Sequence, residues 1–314
     1  MSGPRCCIPF LVLAFLAPSV FGVAAPTPVR SEVIMRIPWG WGPAGLSRIE
    51  ANESEAEGPA SFAVAPGGDL WVLDQVAARV VRFDARGRVA GVVLLPSPTF
   101  QDLEVWSDGR LVILDRLVRR SVLVVGPDGA DPVEHAVQGP LAPEPGEITA
   151  ILARSDGIWL EVAHRHSFRL LDEDLAPVPE SPALPGRVLR RGGGSLELSL
   201  RLPTGVAVGW RDSMGMGPAP MVLEVGPVLR LAWAEDLGED RFWLIHVIPA
   251  AGGRGDRFSG ALRDRSGAVL AFFEAGGADA EWSQVREFRV LDGGDLLQME
   301  LRPEGVRFLR WRLP

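Results

Sequence analysis

From Ser61 to Leu94 the chain passes through four short apolar stretches, Ser61 to Ala65, Asp69 to Asp74, Val80 to Asp84 and Val89 to Leu94, each partly alternating and each followed by turn residues. Alternation of period two puts successive side chains on opposite faces of a pleated backbone, so these read as four consecutive strands. The pattern then returns. Forty-one residues on, Phe62, Val64, Gly68, Leu70, Val72, Leu73, Asp74, Arg79 and Val81 become Leu103, Val105, Gly109, Leu111, Ile113, Leu114, Asp115, Arg120 and Val122. A second copy lies 226 residues from the first, where Phe62, Val64, Gly67, Gly68, Asp69, Leu70 and Val80 match Phe288, Val290, Gly293, Gly294, Asp295, Leu296 and Val306.

Five intervals over that distance give about 45 residues per unit, within the roughly 40 to 50 of a radially repeated four-stranded blade. The fold predicted is all-β, a six-bladed β-propeller, with blades near 60–96, 100–140, 146–184, 187–235, 240–280 and 284–314. The fourth and fifth are degenerate, with longer glycine-rich joins. The sixth has only three strands of its own, and Val33 to Ile37 is expected to supply the fourth, pairing the N-terminal strand with Arg286 to Arg312 and closing the ring. Glycine recurs in the first hairpin turns (Pro66-Gly67-Gly68-Asp69, Trp106-Ser107-Asp108-Gly109, Leu291-Asp292-Gly293-Gly294), where a positive φ is required.

The first residues read differently. Arg5, an apolar run from Ile8 to Leu16 and small residues at Gly22, Ala24 and Ala25 have the layout of a secretory signal peptide. Residues 1–24 are therefore expected to be a signal peptide, 25–32 a short linker and 33–314 the propeller, with the mature chain periplasmic or extracellular and without a membrane span. Both cysteines, Cys6 and Cys7, fall in the leader, so no disulfide is expected to brace the fold. The chain has no lysine, no tyrosine and one asparagine, Asn52, which removes Schiff-base, phosphate-loop lysine and tyrosine-acid chemistry. A net charge of -8 argues against a nucleic-acid partner. No GxSxG, HExxH or phosphate loop occurs.

The stretch GPASFAVAPGGDLWVLDQVAARVVRFDARGRV, with its glycine and Leu-Asp pattern, resembles the NHL-type six-bladed propeller repeats. The resemblance implies architectural roles: glycines for turns, and an aspartate after the second strand paired with the arginine that opens the third, as Asp74 with Arg79 and Asp115 with Arg120. Glu57-Gly58-Pro59 is also similar to the opening of the first blade in gluconolactonase- and regucalcin-like propellers. That resemblance implies a divalent-metal ligand at Glu57, but the asparagine motifs that complete the family's site have no counterpart after Asn52.

Loops before the first strands and between the second and third strands should gather on one face, bringing together Glu50, Glu53, Glu55, Glu57, Asp74, Asp102, Asp115, Glu144 and Glu147. Such a ring of one sign attracts cations or basic partners, and Glu57, Asp74, Asp102 and Asp115 are the candidate ligand-binding residues. The functional expectation is an exported, non-catalytic propeller binding a protein or small molecule on that acidic face. The alternative is a metal-dependent exported hydrolase or lactonase, and a divalent cation is the one cofactor considered. Secondary candidates are His164 and His166, two apart and able to share a strand face, with His166 near the place of Arg79; Trp39 and Trp41, expected to pack over the ring's end; and the tripeptide Arg254-Gly255-Asp256, a chance occurrence in a chain so rich in glycine and arginine.

Overall fold

The structure is a computed structural model that describes residues 26–50, 56–138, 144, 146–238, 240–249, 256–276 and 284–313. The expected signal peptide, Glu53, Glu55 and most of the Arg-Gly-Asp tripeptide lie outside the described residues. Six antiparallel sheets follow one another along the chain, as the repeat predicts for a propeller. Blade 1 consists of Ser61–Val64, Leu70–Asp74, Arg79–Phe83 and Val89–Leu94. Blade 2 is built from Asp102–Val105, Leu111–Asp115, Ser121–Val125 and Val133–Ala136, and blade 3 from Ile148–Arg154, Gly157–Val162, His166–Leu171 and Leu184–Pro185.

Blade 4 comprises Arg187–Val188, Ser195–Arg201, Gly205–Arg211 and Met221–Glu224. Blade 5 therefore begins earlier than expected, with Arg230–Gly238, Arg241–Pro249, Asp256–Asp264 and Val269–Gly276. The frame slips there because the innermost strand of blade 4 is two residues long, too short to carry an alternation. Phe288–Val290, Leu296–Arg302 and Gly305–Arg312 form blade 6.

The ring closes as predicted. Arg30–Pro38 runs antiparallel to Gly305–Arg312, with Val33 opposite Leu309 and Ile37 opposite Val306. Within the expected short linker 25–32, Thr27–Pro28 is already strand and pairs, parallel, with the outer strand of blade 5. Val29 N–H continues that pairing to the Phe272 carbonyl at 2.8 Å. The N-terminal segment thus straps two blades together.

Between blades the sheet faces pack on one another. Phe62 of blade 1 meets Phe308 of blade 6 edge-on at 5.4 Å, and Phe258 of blade 5 meets Phe288 of blade 6 at 4.9 Å. The first-hairpin glycines adopt the expected left-handed backbone, with φ of 87° at Gly68, 90° at Gly109 and 90° at Gly294.

Candidate functional site

Of the four candidate ligand residues only Glu57 is exposed. It forms a two-residue bridge with Ile49, whose N–H donates to the Glu57 carbonyl at 2.9 Å. Asp74 is fully buried and accepts from Arg79 Nε at 2.8 Å and from Ser47 N–H and Oγ, both at 3.1 Å. The pairing implied by the NHL-like pattern therefore holds in blade 1. Burial raises the Asp74 carboxyl above its ordinary value, against the opposing pull of Arg79.

Blade 2 solves the same loop differently. Asp115 accepts from Val118 N–H at 2.9 Å, from Leu117 N–H at 3.3 Å and from the Thr99 hydroxyl. One extra residue in this turn puts Ser121, rather than Arg120, opposite Asp115. Asp102 is also buried, on the innermost strand of blade 2 facing the ring's central channel. It accepts Arg286 Nε at 3.0 Å and Nη2 at 2.8 Å, Ser61 Oγ at 2.7 Å, its neighbour Leu103 N–H at 2.9 Å and Ile151 N–H at 3.0 Å. Three of the four acids expected to present an open acidic surface are thus enclosed, each holding its own donors.

Asp102 belongs to a larger network that the sequence did not single out. Glu104 accepts from Arg286 Nη1 at 2.6 Å and from both terminal nitrogens of Arg289. Glu161 is clasped by Arg187, Nε at 3.0 Å and Nη2 at 2.7 Å, and the same guanidinium lies over the Trp233 ring at 4.0 Å. Glu235 takes Trp233 Nε1 at 3.0 Å, Val290 N–H at 3.2 Å and Arg190 Nη1 at 3.2 Å. Asp102, Glu104, Glu161 and Glu235 are matched by Arg187, Arg190, Arg286 and Arg289, a balanced lattice of buried charges drawn from blades 2 to 6 and joined to blade 1 by the Ser61 hydroxyl. Burial alone would raise Glu104, but the attraction of Arg289 and Arg286 prevails and holds its carboxyl down to about 2. Glu161 is likewise held well below the carboxylate range, Arg187 and His164 outweighing burial.

The signal for this network was legible in principle. Asp102 and Glu104, two apart in an otherwise apolar first strand, share a face, and in blade 6 Arg286 precedes the matching strand and Arg289 lies within it. Charges alternating in an innermost strand point into the channel.

Where the channel opens beyond these charges lies a cavity of about 700 Å³, at the end bearing the turns between first and second strands. That is the end opposite to the loops between second and third strands, where the acidic face was expected. Residues from blades 1, 2, 3, 4 and 6 line it, including Ala65, Trp106, Arg154, Arg191 and Leu291, and it extends along Met35, Leu70 and Leu297 into the cleft between blades 6 and 1. Five arginines (Arg154, Arg190, Arg191, Arg310 and Arg312) face three carboxylates (Glu32, Asp84 and Asp292) around its wall.

The histidine pair does not share a strand face: His164 stands in the turn before the strand that begins at His166 and has a φ of 54°. Its Nδ1 lies 3.2 Å from Glu161. Trp39 packs as expected, donating to the Arg302 carbonyl at 2.8 Å, whereas Trp41 is 64% exposed.

A hard divalent cation takes six to eight oxygen ligands. Among the described residues no three Asp, Glu, His or Cys side chains converge as such a group, and the lone pairs of Asp74, Asp102 and Asp115 are already engaged. The described residues do not fit a calcium-type centre built on Glu57.

No protein-family model matches the chain, and the search of curated proteins returns no match. Solved structures do resemble it. A regucalcin from Agrobacterium tumefaciens, described as a calcium-binding protein, aligns at 13% identity and a TM-score of 0.53, over 93% of this chain and 98% of that one. Hydrazine synthase from Kuenenia stuttgartiensis aligns at 13% identity and a TM-score of 0.53, over 79% and 74%. Likeness at this level speaks to the propeller fold alone.

Proposed function

We propose that the chain is an exported, non-catalytic binding propeller that holds a small molecule in the cavity at the turn-bearing mouth of its channel. The observation that carries this reading is the cavity itself: about 700 Å³, within the roughly 300 to 1,000 Å³ of small-molecule sites, walled by turns of five blades on a rigid ring. The channel charges support binding over catalysis. A general acid or base needs an accessible group that can exchange its proton near the working pH, and Glu104 and Glu161, both buried, are instead held ionised by arginine. The ligand then sits at the mouth opposite to Glu57. Export rests on the leader-like residues 1–24; among the described residues no helix is long and apolar enough to cross a membrane.

The test is to narrow the cavity. Ala65→Trp and Ser107→Trp place an indole at its rim in blades 1 and 2, and each should abolish binding of the uncharged fluorescent probe N-phenyl-1-naphthylamine without loss of the folded state by circular dichroism. Undiminished probe binding in both variants would refute the cavity as the ligand site.

A further inference from the structure

We propose that the cavity selects an amphipathic anion, a small molecule with a carboxylate or sulfonate head on an apolar body, and that Arg191 is its anchor; this rests on the cavity being the ligand site. Arg191 lies in the blade 4 turn between Arg187–Val188 and Ser195–Arg201. The turn is pinned by Asp236, whose carboxylate accepts the backbone N–H of Arg190 at 2.6 Å and of Arg191 at 3.0 Å. The root of the side chain is therefore fixed before any ligand arrives.

Its guanidinium is poorly satisfied. Nη2 donates to Asp292 at 3.0 Å, but the Asp292 side chain is 86% exposed, and an ion pair of that kind is worth little in water. Nη1 is buried with no hydrogen-bond partner. A planar fork with one idle nitrogen and one weakly held is suited to a two-oxygen head group, which forms charge-assisted hydrogen bonds and can displace Asp292 into solvent. The neighbouring guanidiniums are committed: Arg154 to Asp156 and the Leu189 carbonyl, Arg190 to Glu235. They add positive potential without competing for the head group. The same cavity is lined by Leu291 and by Ile34, which is exposed, apolar surface for the body of the same molecule.

The test compares two probes that share a ring system and differ in charge, 8-anilinonaphthalene-1-sulfonate and N-phenyl-1-naphthylamine, titrated against the native protein and Arg191→Gln. The sulfonate should bind the native protein at least about tenfold more tightly, and Arg191→Gln should weaken it about tenfold while leaving the uncharged probe unchanged. Equal affinities for the two probes in the native protein, an unchanged sulfonate affinity in Arg191→Gln, or an equal loss of both probes would each overturn the anchor. Failure of the underlying cavity reading looks different: neither probe would then respond to Ala65→Trp or Ser107→Trp.

Discussion

Replacing Arg286 by methionine removes a fully buried guanidinium that joins Asp102 and Glu104 and also donates to the Ile151 carbonyl at 2.9 Å. The carboxylates do not go with it. Asp102 keeps Ser61 and two backbone amides, and Glu104 keeps Arg289, but a buried negative charge is left uncompensated. Breaking a buried pair in this one-sided way costs about 3–5 kcal/mol, which for a domain of this size corresponds to a fall in Tm of roughly 6–10 °C. The sign with pH is fixed. In the native protein the folded Glu104 carboxyl is lowered from 4.5 to about 2, so its contribution is complete above the ordinary carboxylate range and disappears as pH falls from there toward about 2. In the variant the uncompensated negative charge is relieved by proton uptake, so the loss relative to the native protein shrinks as the pH drops. The deficit should therefore be large at neutral pH and smaller near pH 4. Urea unfolding at both pH values and constant ionic strength measures it. A deficit under about 1 kcal/mol at neutral pH, or one equal at the two pH values, would refute the account of the channel as a compensated charge lattice. Adding Asp102→Asn to Arg286→Met should recover part of the loss, because it removes the orphaned charge.

Gly294 and Gly68 occupy the same turn position with φ of 90° and 87°, yet a Cβ at Gly294 would come within 2.6 Å of Leu237, while one at Gly68 meets nothing within 4 Å; Gly68→Ala should cost about 1–2 kcal/mol for strain alone and Gly294→Ala more, and equal costs in urea unfolding would contradict this. Removing residues 26–38 bares the outer strand of blade 5 and Gly305–Arg312 of blade 6 together, so the truncated protein should self-associate in light scattering at concentrations where the full ring is monodisperse, and an unchanged profile would show the strap to be dispensable. Ser61→Ala, which takes the 2.7 Å hydroxyl donor from buried Asp102, should lower stability by about 1–3 kcal/mol, and a neutral result would remove Ser61 from the network.

Six blades and their closure were legible because a repeat multiplies a weak local signal: Gly68, Gly109 and Gly294 each do the same thing for the same steric reason. The fourth and fifth blades were harder because the inner strand of blade 4, Arg187–Val188, has only two residues. The enclosure of Asp102 was harder to read for a different reason. Asp102 occupies a loop-adjacent place in the repeat, and nothing local to it announces that Arg286, far along the chain, reaches back to it; the acid looks available until its partner is known. The cavity escaped notice because its wall is assembled from one or two residues of each of five blades, none distinctive alone.

The N-terminal strap carries a consequence for the order of events in folding. Its pairing partner is the last strand among the described residues, with Arg30 opposite Arg312 and Pro38 opposite Gly305. The strap is made before its partner strand and waits for the blades between them, so the ring has no finished state until Gly305–Arg312 is in place. Contacts between chain ends are the slowest to form, since the whole intervening loop must be ordered before they repay its entropy. A stalled or C-terminally clipped chain would lack the strand that Arg30–Pro38 needs and would present an unpaired edge at each end of an open arc. The presence of Gly305–Arg312 is thereby checked by the fold itself, and only a chain that carries it can close as a circle.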